Sequence, residues 1–224
     1  MARNLEAVDL HCHTLHSDGE LVPAELFRRA EAAGLAGVAL TDHADSSNLE
    51  AVIAGALRAC EAERESGALA CAAGIELTHV RPAMIGRLVE RARELGAQIV
   101  VVHGESPVEP VARGTNRAAI EAGCDILAHP GLLEPADARA AAAAGVLLEI
   151  SGRAGHSLAN GHVARLAREH GALVVYGGDC HGPGDLRSPS GVADVLGLAG
   201  LSPEEVEAAL SRGLELLKRK AGAA

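Results

Sequence analysis

The sequence predicts an α/β fold of seven β–α units, with a closed barrel favoured over an open, doubly wound sheet. Short apolar β-like runs alternate with longer Ala/Leu/Glu/Arg stretches along all 224 residues, the pattern of a parallel sheet covered by helices. No glycine-rich phosphate loop follows the first run, which removes the usual reason to expect a dinucleotide-binding sheet. No linker or change of composition interrupts the alternation, so residues 1–224 read as one domain.

The predicted strands are 8–13, 37–42, 69–76, 98–103, 125–129, 146–150 and 173–178. Each is a run of four to eight mostly apolar residues bounded by glycine or polar residues. The predicted helices are 23–35, 47–66, 81–95, 115–122, 135–144, 158–170 and 202–213. Pro23 suits a first helical turn and Gly34 a helical stop, while Ser202 and Pro203 form a cap followed by a first helical position.

Composition narrows the function classes. The chain is 48% hydrophobic with a formal net charge of −10, which argues against a nucleic-acid carrier that works by neutralising phosphates. One Phe, one Tyr and no Trp leave little on which to stack single-stranded bases. Neither point removes an enzyme that cuts nucleic acid, because bound cations reverse the local field. Five scattered cysteines without a C-x-x-C fit a reducing compartment. With no signal-peptide pattern and no membrane-length apolar run, a cytoplasmic protein without a membrane partner is expected.

The first strand, V-D-L-H-C-H, raises the chemical question. Strand alternation places Asp9, His11 and His13 on one face and Val8, Leu10 and Cys12 on the other. The same kind of residue recurs where later strands end. Asp18 follows the first strand, T-D-H gives His43, G-I-E gives Glu76, and V-V-V-H gives His103. L-A-H-P gives His129, and G-G-D-C-H gives Asp179 and His181 at a two-residue spacing. In parallel β/α folds, function is built at the C-terminal ends of the strands. Six imidazoles and three carboxylates are too many for one ion and suit two or three divalent ions of the Zn, Mn or Fe type. The sixth strand shows no such donor, but its exit, I-S-G-R-A-G-H, places Arg153 and His156 near the mouth as substrate-binding candidates, with Arg113 as a weaker alternative. Asp9 and Asp42 are placed to brace donors, and Cys180 is expected to pack behind the site.

In this order the motifs D-L-H-C-H-T-L-H-S-D-G, T-D-H, G-I-E, V-H-G, A-H-P and G-G-D-C-H resemble the PHP family (polymerase and histidinol phosphatase domains). The resemblance implies a distorted seven-stranded (β/α)7 TIM-like barrel holding a trinuclear centre, with the same nine residues as ligands. It also implies a phosphoesterase. The expectation is hydrolysis of a small phosphate monoester by a metal-bridging hydroxide, with no Ser or Cys nucleophile. A nuclease or phosphodiesterase acting on oligonucleotides is the first alternative, and a non-catalytic interaction or RNA-binding subunit the second. The complete donor set and acidic charge count against the latter. No long insertion is available to cap the mouth.

Overall fold

A computed structural model describes residues 5–67 and 69–222. Seven parallel strands follow one another around a nearly closed barrel: β1 (Val8–Cys12), β2 (Gly37–Leu40), β4 (Ala70–Leu77), β5 (Ile99–His103), β6 (Ile126–Ala128), β7 (Leu147–Ser151) and β8 (Val174–Gly177). A two-residue strand, β3 (His43–Ala44), continues β2 along β4 and pairs His43 with Glu76. β8 returns to β1 at a seam where His13 N–H donates to the Cys180 carbonyl and Cys180 N–H to the His11 carbonyl, at 2.8 and 3.1 Å. The predicted α/β barrel is therefore the observed one.

Helices α1 (Pro23–Ala32), α2 (Leu49–Ser66), α3 (Pro82–Glu94), α4 (Thr115–Glu121), α5 (Pro135–Ala144) and α6 (Asn160–His170) follow successive strands, α6 after one turn of 3₁₀ helix at His156–Ala159. Proline opens α1, α3 and α5, where its missing N–H costs no hydrogen bond. Two further helices correct the predicted last unit. The helix that follows β8 in the chain is α7 (Pro189–Leu198), which the sequence pattern did not reveal. The predicted helix at 202–213 is instead an eighth, α8 (Pro203–Ala221), which runs on to residue 221 and crosses the base of the barrel. Its N-terminus is the expected one: Ser202 and Glu205 form a capping box.

The barrel interior has two storeys. In the lower one, Val8, Leu10, Ala39, Ala72 and Val101 meet Leu216 and Leu217 of α8 in a single apolar cluster. Leu217 fits because Gly37 has no side chain, and a Cβ there would collide with the leucine. Each buried leucine stabilises such a cluster by about 1.5–3 kcal/mol. The upper storey is polar, and it lies at the strand ends where the donors were expected.

One register feature departs from simple alternation. Asp9 pairs with Val38 and Cys12 with Leu40, so three residues of β1 span two of β2. This bulge resets the parity of the strand. Leu10 joins the inner cluster, His11 and His13 still turn inward, and Asp9 does not share their face. Its carboxylate instead accepts hydrogen bonds from the backbone N–H of His11 and Gly178.

Candidate metal centre

Each strand end contributes to a common chamber. Strand β1 supplies His11, the segment just after it His13 and Asp18, β3 His43, β4 Glu76 and β5 His103. His129 follows β6, and Asp179 and His181 follow β8. All nine predicted donors thus converge at the C-terminal end of the barrel. They fall into overlapping groups able to hold an ion: His13, Asp18, His43 and His181; His11, His13 and Asp179; Glu76, His103 and His129. His129 and Asp179 adopt positive φ angles of 27° and 51°, which non-glycine residues rarely do. The fold holds these two donors in costly backbone conformations.

Glu76 and Asp179 are the hubs. Glu76 Oε1 lies 3.4 Å from His11 Nε2 and 3.2 Å from His103 Nδ1, and Oε2 lies 2.7 Å from His43 Nδ1. Asp179 Oδ1 lies 3.2 Å from His13 Nε2 and 3.8 Å from His11 Nε2. On the solvent side, Asp18 Oδ1 is 3.5 Å from His43 Nε2 and 3.3 Å from His181 Nε2. Burial opposes ionisation of Asp179, but the imidazoles of His11, His13 and His129 outweigh it and hold the carboxyl far below its usual range. Glu76 is shifted the same way against the same burial, chiefly by His11 and His103. Burial pushes His13 down to about 4, leaving its ring neutral and available as a ligand.

Whether cations fit can be judged from unused donor atoms. His11 Nε2, Glu76 Oε1 and both ring nitrogens of His13, His103 and His129 are buried and, although carboxylates lie near several of them, make no well-directed hydrogen bond. Buried polar atoms are rarely left so, because each costs about 1–3 kcal/mol unsatisfied. A concentration of such atoms facing one chamber, all imidazole or carboxylate, fits divalent transition metals.

The bracing residues are also visible. Asp42 accepts from Thr14 N–H and Oγ1–H and from Ser17 Oγ–H at 2.7 to 2.8 Å, fixing the loop that carries Asp18. Asp9 fixes the backbone of His11, and Cys180 packs in the outer apolar layer. Arg153 is half-buried beside the donors, its Nη1 3.2 Å from the Asp179 carbonyl and 3.0 Å from His181 Nδ1. His156 is buried, with Nε2 3.6 Å from Asp179 Oδ2 and Nδ1 2.6 Å from Ser106 Oγ. Arg113 is exposed on the β5–α4 loop.

Two residues at the site were not anticipated. The sixth strand is not donor-free: Glu149 on β7 is buried, and its Oε2 lies 2.6 Å from His11 Nδ1. Its only sequence signal is a lone acid within the apolar run V-L-L-E-I. Glu109, on the β5–α4 loop, reaches His103 Nε2 at 3.1 Å, His79 Nε2 at 2.9 Å and His156 Nε2 at 3.4 Å. That loop thus brings a carboxylate to the edge of the chamber.

Barrel and donor set together define a class, the metal-dependent hydrolases. Within it, the chain belongs to the PHP family: the PHP domain profile matches residues 9–128, and the remaining donors His129, Asp179 and His181 come to the same chamber through the fold. The chain is 43% identical over 215 residues to Uncharacterized protein MJ1295 of Methanocaldococcus jannaschii, covering 94% of this chain and 98% of that one. Among solved structures, an amidohydrolase superposes with a TM-score of 0.61 at 15% identity, over 94% of this chain and 74% of the other. A candidate histidinol phosphatase of Listeria monocytogenes gives 0.56 at 13% identity, over 80% and 97%. At such identities the likeness is one of fold. Among the described residues, no helix is long and apolar enough to cross a membrane.

Proposed function

We propose that this chain is a phosphoesterase that hydrolyses a small phosphate monoester with two to three divalent ions of the Zn, Mn or Fe type. The observation that carries this reading is the convergence of three donor groups on Glu76 and Asp179, with Arg153 and His156 both beside Asp179. His11, His13, Asp18, His43, Glu76, His103, His129, Asp179 and His181 would hold the ions. When bound, such ions polarise a phosphoryl oxygen and lower the pKa of water.

The chain's own residues then bind and orient the ester. Arg153 supplies a planar fork of N–H donors suited to phosphate oxygens. Burial, assisted by neighbouring His129, pushes His156 down to about 4, so its ring is neutral near neutral pH. In the tautomer whose Nδ1 accepts from the Ser106 hydroxyl, the ring proton sits on Nε2, facing Asp179 and Glu109. That N–H can donate to a phosphoryl or leaving-group oxygen. The mouth places Glu109 opposite these cationic and neutral donors, a poor setting for the continuous negative charge of a nucleic-acid strand.

The test pairs elemental analysis with hydrolysis of sugar-phosphate and mononucleotide monoesters and a short labelled oligonucleotide, with and without added manganese. Two to three transition metals per chain and monoester turnover support the proposal. Cleavage of the oligonucleotide alone would replace it with a phosphodiesterase. A protein that binds no metal and turns nothing over after reconstitution would overturn it.

A further inference from the structure

Glu149 lies beneath the donor chamber, on the opposite side of the His11 ring from Glu76 and Asp179. His11 Nδ1 is 2.6 Å from Glu149 Oε2, a hydrogen-bond length. His11 Nε2 faces Glu76 Oε1 and Asp179 Oδ1. Glu149 is 1% exposed and its Oε1 has no hydrogen-bond partner, so the carboxylate has been carried into the barrel at considerable cost.

A second, independent feature keeps it there. A Cβ on Gly177 would collide with Glu149 Oε2, and one on Gly178 would collide with Asp9. Neither glycine has the positive φ that would require glycine on conformational grounds. The glycine pair of Y-G-G-D-C-H is therefore a clearance for two carboxylates that both act on His11, one on its ring and one on its backbone N–H.

We propose that Glu149 is a positioning residue for the metal centre: by accepting the Nδ1–H of His11 it fixes the ring and its tautomer so that Nε2 is presented to a cation, and Gly177 exists to admit it. The proposal rests on the metal-centre reading above. A carboxylate on the rear nitrogen of an imidazole ligand holds the ring still and makes it more basic, and losing such a partner typically lowers metal affinity by about 10–100-fold.

The test compares full-length wild type, Glu149→Gln, Glu149→Ala and Gly177→Ala. Zinc dissociation constants are measured by competition with a chromogenic chelator, and the visible absorption of the cobalt(II)-loaded proteins is recorded. Glu149→Gln, nearly isosteric, is expected to weaken the zinc site by about 10–100-fold and to shift the cobalt spectrum. Gly177→Ala should change both in the same direction while leaving the Glu149 side chain intact. Circular dichroism of each metal-free variant separates a lost ligand geometry from a lost fold. If wild type binds zinc and both Glu149→Gln and Gly177→Ala match it in affinity and spectrum, the role of Glu149 is overturned and the metal centre stands. If wild type itself binds no zinc, both readings fall.

Discussion

The two storeys of the barrel interior are built from the same seven strands to opposite specifications. The lower one is filled with small and branched apolar side chains and sealed by Leu216 and Leu217. The upper one is buried at its floor and opens to solvent at Asp18, and it is crowded with imidazole and carboxylate. The first lowers the free energy of the fold on its own account. The second raises it unless cations arrive. Stability and chemistry are thus separated along the barrel axis, and substitutions in one storey should leave the other largely intact.

The sharpest way to break this separation is to remove a donor from the upper storey. His11→Ala and Asp179→Ala are each expected to lower turnover by about 10³-fold or more, the rate equivalent of several kcal/mol of charge stabilisation. The metal-free variants should melt within a few degrees of wild type. A variant that lost its fold along with its activity would show that the upper storey is structural too.

At the other end, Leu217→Ala should cost about 2–5 kcal/mol of stability, read by urea denaturation. Below its melting range it should bind the same number of ions as wild type. Chelation addresses the upper storey as a whole: metal at 100 times its dissociation constant should add about 2.7 kcal/mol over the chelated protein, seen as a rise in melting temperature. No rise would mean that the chamber is indifferent to cations.

Smaller effects sharpen the description of α8. Ser202→Ala, which removes the cap, should cost about 1 kcal/mol. The Arg168 guanidinium, helped by the Ser202 N–H, holds the Glu205 carboxyl at about 2, below its ordinary 4.5. A depressed carboxylate stabilises the folded state above the unfolded value and loses that contribution as the pH falls. Acid titration should therefore show the difference between wild type and Glu205→Gln fading from about pH 4.5 down to about pH 2. Because the pair is exposed, salt should shrink it further.

How far the sequence revealed the site depends on the distance over which each residue's role is decided. His43, Glu76, His103 and His129 were legible because strand ends are local features, and a parallel sheet brings its strand ends together. Glu149 was not, because its role is set by His11, 138 positions away, and by the absence of a side chain at Gly177. Asp9 was assigned to the donor face by strict alternation, which the bulge in β1 breaks. Helix α7 was missed because P-S-G-V-A-D-V-L-G-L is apolar on most sides, carries two glycines, and buries only Val192 and Leu196. Helix α8 was recognised by its cap, but nothing local to it says that it crosses the base of the barrel.

The seam between β1 and β8 also has a temporal meaning. The first donors, His11 and His13, meet their last partners, Asp179 and His181, only when Cys12 and Cys180 come side by side. During synthesis, the early histidines must wait for nearly the whole barrel before their chamber exists. Contacts so distant in sequence are slow to form, since the entropy of closing the loop is lost before they stabilise anything. A newly made chain therefore exposes a partial cluster of imidazoles well before it can offer a finished one. Metal delivered at that stage would meet an incomplete ligand set, so faithful loading belongs to the closed barrel.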